Sequence, residues 1–288
     1  AGFRETGEAG LKLEREMLEI AREYGVRVIG PNCLGVMRPE ASFNATFSKN
    51  QALPGNLALV SQSGAICTAV LDWAESQQIG FSAVVSVGNA ADVHFGDVLD
   101  YLALDRKTRS ILLYIEGVRD ARRFVSGLRA AARMKPVIVI KPGRNAESSK
   151  AAMSHTGSLV GADDVFDAAL ERAGVVRAMT IAQLFAAARV LSEGYAVKGN
   201  RLVIVTNAGG PGVMAVDRAL ELDVALAKLS DDTIEELDEA LPAHWSRGNP
   251  VDVLGDAGPD RFAAAVEACL ADDGVDGVIT MLTPQAMT

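Results

Sequence analysis

One of the chain's three histidines, His155, sits in Ser154-His155-Thr156-Gly157-Ser158, a run of small and hydroxylated residues and not on an apolar face. Such surroundings leave an imidazole accessible. Neutral imidazole is a competent nucleophile near pH 7, provided one ring nitrogen donates to an orienting acceptor so that the other presents its lone pair. Glu116, at the end of the apolar run Ser110 to Ile115, is the candidate acceptor. A surface or hydrogen-bonded structural histidine and a solvated strand terminus are the alternative readings of these two residues. His94, beside Asp92 at a helix start, and His244, beside Pro242 and Trp245, have weaker claims.

Two further loops share a composition suited to anions. Ser61-Gln62-Ser63-Gly64 and Asn207-Ala208-Gly209-Gly210-Pro211-Gly212 each follow a buried apolar run and open a helical pattern. In open α/β sheets ligands sit beyond the carboxyl ends of the strands. Glycine lets backbone approach a ligand closely, and the donors of a first helical turn favour negative charge. Ser and Asn are also ordinary N-cap residues, so helix capping alone is the competing reading. A histidine facing two such termini is a candidate carrier of a phosphoryl group. Asn89-Ala90-Ala91-Asp92 follows the next apolar run and is placed to line the same crevice. Asn249-Pro250-Val251-Asp252 reads first as a structural turn leading into an extended segment.

The elements that must position these groups alternate. Gly7 to Tyr24 reads as an amphipathic helix with Leu11, Leu13, Met17, Leu18 and Ile20 on its apolar stripe, followed by a strand Val26 to Ile29 and the turn Gly30-Pro31-Asn32. One helix and about one strand bury too little to be a domain, so an N-terminal piece is expected to precede them. Arg38 to Pro54 reads as a polar connector. Strands are expected at 57–60, 81–87, 110–115 and 136–140, with helices at 65–75, 96–104, 120–134, 163–173 and 181–191. A second unit opens at Arg201, with strands at 202–205, 224–226 and 275–282 and helices at 212–222, 231–239 and 261–270. Continuous apolar runs each followed by a helix predict parallel sheets covered on both faces. The shared strand, small-residue loop, helix opening of the two units is a weak sign of duplication.

Composition narrows the function classes. The chain is 49% hydrophobic and 23% charged, with a net charge of −9. No basic stripe exists to neutralise a nucleic-acid backbone, which argues against that partner without disfavouring small anions held by backbone N–H groups. No run approaches the roughly 18–20 apolar residues of a membrane helix. Three scattered cysteines, Cys33, Cys67 and Cys269, without CxxC spacing, argue against disulfides and structural zinc. A cytoplasmic protein with no metal site of its own and no membrane partner is the expectation.

Seven segments in this order resemble the nucleoside-diphosphate-forming acyl-CoA synthetases, the superfamily that includes succinyl-CoA synthetase and ADP-forming acetyl-CoA synthetase. They are Gly30-Pro31-Asn32-Cys33-Leu34-Gly35, Ser61-Gln62-Ser63-Gly64, Gly88-Asn89-Ala90-Ala91-Asp92, Tyr114-Ile115-Glu116-Gly117, Ser154-His155-Thr156-Gly157, Asn207-Ala208-Gly209-Gly210 and Asn249-Pro250-Val251-Asp252. The resemblance spans nearly the whole chain. It implies an α/β fold of two flavodoxin-like doubly wound parallel-sheet domains, at 54–195 and 200–288, preceded at 1–40 by the C-terminal part of a Rossmann-like CoA-binding domain. The second domain would be cut short at its end.

The implied reaction interconverts acyl-CoA, ADP and phosphate with a carboxylic acid, CoA and ATP through an acyl phosphate and a phosphohistidine. His155 matches the phosphorylated histidine and Glu116 the carboxylate that hydrogen-bonds it. Ser61, Gln62, Ser63 and Gly64, with Asn207, Ala208, Gly209 and Gly210, match the two phosphate-holding helix starts. Asn32, Cys33, Asn89 and Asp92 are the expected substrate or CoA contacts. CoA, ATP or ADP and Mg²⁺ are the implied cofactors, with nucleotide and metal bound by an ATP-grasp domain or subunit that has no counterpart in these residues. An internal fragment, or a subunit of an oligomer, is therefore expected. A second reading, also by resemblance, is the regulatory or acyl-CoA-sensing ligase-like region of a protein lysine acetyltransferase, though retention of His155 and Glu116 favours the working relay. A third is a non-enzymatic anion-binding α/β module.

Overall fold

The computed structural model describes residues 2–145, 163–193 and 197–284, so the Ser154 to Ser158 motif with His155 lies outside the described residues. The chain divides into two compact units, Ala1–Tyr195 and Ala196–Thr288.

The first unit is built on a seven-stranded sheet in the order β2-β1-β4-β3-β5-β6-β7. Its five parallel strands are β3 (Pro54–Ser61), β4 (Phe81–Ser86), β5 (Ser110–Tyr114), β6 (Val137–Ile140) and β7 (Val176–Ala178). Leu57 to Val60, Ile111 to Leu113 and Val139 are fully buried, because both faces of these strands are covered. On one face α3 (Phe95–Leu104), α4 (Ala121–Ala132) and α5 (Asp163–Ala173) supply Leu99, Leu128 and Leu170 to the core. On the other, α2 (Gly64–Ser76) and α6 (Ile181–Ser192) supply Leu71 and Leu184. The doubly wound α/β arrangement expected from the alternation is the one observed.

Three local expectations are corrected. The polar connector holds two strands, β1 (Gly35–Arg38) and β2 (Phe43–Thr46), which pair antiparallel with each other and, through β1, with β4. Their signal is weak because β2 is mostly exposed and lies at the sheet edge. Val26 to Ile29 is not a strand of this sheet. It runs beside the loop after β4, where Asn89, Ala91 and Val93 donate backbone N–H groups to the carbonyls of Pro31, Gly30 and Val28. The three-residue β7 was missed outright, being too short to show a period.

The N-terminal helix α1 (Glu8–Glu23) forms as its apolar stripe requires, yet it also buries Glu14, whose side chain is 1% exposed. An isolated carboxylate there would be costly. Arg4 at 2.5 Å and Arg119 at 3.2 Å neutralise it, and Asn89 Nδ2 donates to it at 3.2 Å. This network ties α1 to the loops that follow β4 and β5.

The second unit centres on β8 (Arg201–Thr206). β11 (Gly277–Met281) pairs along one side of it. Two short strands share the other side: β9 (Ala225–Leu226) lies against its first half and β10 (Val251–Asp252) against its second. α7 (Gly209–Glu221) leads from β8, and α8 (Asp231–Ala240) and α9 (Pro259–Ala271) bury Leu237, Ala265 and Cys269 against Val203 and Val205. α7 begins three residues before its expected start, so Gly209 and Gly210 are its first turn and not a preceding loop.

Asn249 fills the gap between β9 and β10. Its Oδ1 accepts from the Ile204 N–H at 3.1 Å, and its Nδ2 donates to the carbonyls of Leu202 at 2.7 Å and Ala227 at 3.1 Å. One amide therefore completes the ladder where no strand residue reaches, which makes the Asn-Pro-Val-Asp segment structural at this residue. Asn249→Ala takes this partner from the Ile204 N–H and the Ala227 carbonyl, while the Leu202 carbonyl keeps the Ala227 N–H, and is expected to cost about 2–4 kcal/mol in urea unfolding. Asn249→Asp, which sets an acceptor against two carbonyls, is expected to cost at least as much. A loss below about 0.5 kcal/mol in both would contradict this role.

Candidate functional site

Each unit turns from its central strand into a helix by the same local device. Ser61, the last residue of β3, lies in register with Ser86 on β4 and Tyr114 on β5. Its hydroxyl donates to the Ser63 carbonyl at 2.8 Å and accepts the Ser63 N–H at 3.0 Å. Thr206, the last residue of β8, lies in register with Asp252 on β10 and Met281 on β11. Its hydroxyl donates to the Ala208 carbonyl and accepts the Ala208 N–H, both at 3.1 Å. A hydroxyl fixed in a buried strand thereby folds the next two residues over and starts a helix at the sheet's carboxyl edge.

What the two helix starts offer differs in detail. In α2 the Ser63 side chain caps the N–H of Ile66 at 3.3 Å, leaving the Gly64 and Ala65 donors ahead of it. In α7 the N-cap is Ala208, with no side-chain cap, and Gly209 and Gly210 are exposed. Gly212 allows that turn to sit on the sheet, since a Cβ there would lie 3.1 Å from Thr206 Cγ2 and 3.5 Å from the Pro250 ring. Both termini carry the partial positive charge of a helix start, and neither has a lysine or arginine in its first turn. Backbone donors of this kind hold an anion without an ion pair that must later be broken.

The second residue of each loop uses its side-chain amide on the neighbouring strand. Gln62 Oε1 accepts the N–H groups of Glu116 at 2.5 Å and Gly117 at 2.9 Å, just past β5. Asn207 Oδ1 accepts the Thr283 N–H at 2.8 Å and its Nδ2 donates to the Thr283 carbonyl at 2.9 Å, just past β11. Glu116 stands two residues after Tyr114 and Thr283 two after Met281, so the two contacts are equivalent in register. Burial first, then the negative charge of the Glu116 carboxylate, push the Tyr114 phenol up to about 12.

The remaining predicted contacts form a separate cluster. Gly88 has φ +50°, and a Cβ on it would lie 2.4 Å from the carbonyl oxygens of Pro31 and Asn32. The Gly30–Gly35 and Gly88–Asp92 motifs are thus two sides of one backbone contact that only glycine permits at position 88. Asn89 Nδ2 donates to Glu5 at 2.8 Å and to Glu14, while its Oδ1 accepts from Asn32 at 3.4 Å. Asp92 accepts from Arg27 Nε at 2.9 Å and the Val28 N–H at 2.8 Å. Its burial favours the neutral acid, but these hydrogen bonds and the Arg27 charge prevail and lower its pKa. Burial raises the Cys33 thiol, which points at the Ile29 carbonyl at 3.5 Å, so it is poorly suited to be a thiolate nucleophile.

Sequence reasoning missed Lys141, Asp163 and Arg177. Lys141 follows β6 with its side chain 3% exposed, and its ammonium meets Asp163, the first residue of α5, at 3.2 Å. Arg177 on β7 reaches the same carboxylate at 2.7 Å. Burial works against the Asp163 carboxylate, but the two cations lower its pKa overall. Lys-Pro-Gly-Arg at 141–144 reads as a polar run, and only the fold reveals that its first residue is buried. Among the described residues no three His, Cys, Asp or Glu side chains group as metal ligands, and no helix is long and apolar enough to cross a membrane.

Residues 54–191 match the succinyl-CoA ligase like flavodoxin domain, and residues 202–285 match the ligase-CoA domain. An ADP-forming acetate–CoA ligase I of Archaeoglobus fulgidus is 47% identical over 99% of this chain and 42% of its own length. The alpha subunit of an ADP-forming acetate–CoA ligase I of Pyrococcus furiosus is 44% identical over 100% of this chain and 62% of its own. A dinucleotide-forming acetyl-coenzyme A synthetase 1 from Ca. Korarchaeum cryptofilum, solved in complex with phosphate and ADP, superposes with a TM-score of 0.94 at 35% identity, covering all of this chain and 62% of that one. The chain thus spans about two fifths to three fifths of the length of these relatives. With both domains matched in order, it belongs to the NDP-forming acyl-CoA synthetase superfamily.

Proposed function

We propose that this chain is the acyl-phosphate and phosphohistidine part of an ADP-forming acyl-CoA synthetase, an acid–thiol ligase. The observation that carries the reading is the repeated turn. Two helix starts, behind Ser61 and behind Thr206, present backbone donors at the carboxyl edges of their sheets, and the loop pinned to the first carries a carboxylate, Glu116, where the loop pinned to the second carries Thr283. A phosphoryl group delivered between two such cradles needs a carrier. His155 is the residue whose surroundings in the sequence suit that task.

Each step balances without an outside oxidant or reductant. A phosphate oxygen attacks the thioester carbonyl, the C–S bond breaks, and CoA leaves as the thiol after taking a proton. An imidazole nitrogen of His155 then attacks phosphorus, and the acyl C–O⁻ leaves as the free carboxylate. A terminal oxygen of ADP finally takes the phosphoryl group from His155 to give ATP. Gly64 and Ala65, with Ser63, hold phosphate through the first transfer, and Gly209 and Gly210 hold it near the nucleotide. Glu116 accepts the N–H of the His155 ring, which fixes the tautomer with its lone pair toward phosphorus.

Asn32, Cys33, Asn89 and Asp92 remain the proposed acyl-CoA side. Their side chains brace the turn that would face CoA, so their contribution is shape. CoA and a small carboxylic acid are the substrates. Nucleotide and Mg²⁺ belong to an ATP-grasp domain or partner subunit, since relatives are longer than this chain and one is named an alpha subunit. Mg²⁺ held by that domain would supply positive charge to offset the nucleotide phosphates during transfer.

In the complete ligase, His155→Ala is expected to abolish acid-labile incorporation of phosphate from labelled ATP, and Glu116→Gln to slow it while leaving the unfolding midpoint unchanged. Wild-type labelling in the first variant would remove the assignment; unchanged kinetics in the second would remove the orienting role. The Tyr114 contact has its own check. Because the folded phenol is raised, its neutral form stabilises the fold below the ordinary tyrosine range, and that contribution is lost as pH rises through about 12. Absorbance titration should show one tyrosine ionising near 12, moved downward but not fully restored in Glu116→Gln, since burial remains. An unmoved midpoint would mean the carboxylate does not face Tyr114.

A further inference from the structure

We propose that Gln62 is a positioning residue for Glu116, locking the loop that carries this carboxylate to the start of α2. The proposal rests on the reading of Glu116 as the group that orients His155. The motif around Gln62 suggests a phosphate ligand, and the geometry assigns its oxygen elsewhere. Backbone N–H groups can only donate, so the amide contacting both Glu116 and Gly117 at 2.5 and 2.9 Å must do so through Oε1. That oxygen is therefore turned away from any anion at the helix start, and the end of the amide left over holds donors alone.

The position of the contact gives it leverage. The Gln62 N–H itself donates to the Tyr114 carbonyl at 3.1 Å, continuing the β3–β5 ladder by one bond past Ser61. The side chain adds two more bonds beyond the point where the strands diverge. Glu116 is thus held at its backbone by Gln62. On its far side, Arg119 anchors the same loop to the Ala90 carbonyl at 3.2 Å and to the buried Glu14. The loop's freedom is removed from both directions, and Gln62 is a side-chain contact that joins it to the phosphate-binding turn.

The equivalent pair Asn207–Thr283 shows that the clip belongs to the fold in general, since no carboxylate stands at Thr283. What is particular to the first unit is its cargo. A shift of about 1 Å in a catalytic group can lower a rate on the order of 10²-fold, so loosening the clip should act on phosphoryl transfer through Glu116.

The test is a double-mutant cycle in the complete ligase, using Gln62→Met, which keeps chain length and removes the acceptor, with Glu116→Gln. Single-turnover phosphorylation of His155 from acyl-CoA and inorganic phosphate is followed at saturating and limiting phosphate. Gln62→Met alone is expected to lower the maximal rate roughly 10- to 100-fold and to change the KM for phosphate less than about threefold. In the Glu116→Gln background the same substitution should cost less than about threefold, because the group it positions has gone. Full additivity, or an effect confined to the phosphate KM, would overturn the proposal in favour of a purely structural or direct phosphate role. Should Gln62→Met fail to fold, Gln62→Ala, which also removes the acceptor of the Glu116 and Gly117 N–H groups, is read in the same cycle against the same two outcomes. If Glu116→Gln alone has no effect, the orienting role of Glu116 has failed, a result separate from either outcome for Gln62.

Discussion

The structure depends on what becomes of the backbone donors where a buried parallel strand ends and a helix begins. The first N–H groups of a helix have no partner within it, and burying them unpaired is costly. Ser61 and Thr206 resolve part of this by turning the chain within two residues, each hydroxyl acting as donor and acceptor on the same peptide neighbour. The donors that follow are left at the exposed carboxyl edge of the sheet. An anion is the natural complement there, and the absence of lysine or arginine in either first turn keeps the cradle shallow enough for a ligand that must leave again.

Around this constraint each unit solves the same problem twice over. A side-chain amide one residue beyond the strand pins the loop that follows the neighbouring strand. The recurrence includes the strand register, from Ser61 opposite Tyr114 to Thr206 opposite Met281. That agreement extends the likeness well past the shared glycine-rich openings. The divergence is equally informative: one pinned loop bears a carboxylate and the other a hydroxyl. A carboxylate is the group able to hold an imidazole in one tautomer by accepting a charge-assisted hydrogen bond, which is the role proposed for Glu116.

Much of this was legible in the residues. Buried strands such as Leu57 to Val60 and Leu202 to Val205 announce themselves by continuous apolar runs, and the small-residue loops after them mark where each strand turns into a helix. Glu116 was legible because it ends such a run. The antiparallel strands β1 and β2 were not, since Phe43 to Thr46 is exposed and carries neither period nor burial. Val26 to Ile29 has a strand's composition, but its partner is the irregular loop 89–93, a pairing that no local pattern encodes. Gln62 and Asn249 were legible as polar loop residues only. Their roles depend on backbone groups brought near from 54 positions away for Gln62 and from 22 to 47 positions away for Asn249. The buried Lys141–Asp163–Arg177 cluster needed the fold for the same reason.

The central claim is that both helix starts bind phosphate through backbone donors. Titration of the isotopically labelled chain with inorganic phosphate, followed by the backbone amide resonances, addresses it without requiring turnover. The account predicts saturable shifts concentrated at Gly64 and Ala65 and at Gly209 and Gly210, weakening with competing sulfate. Shifts absent from both helix starts, or scattered over surface lysines and arginines instead, would contradict it.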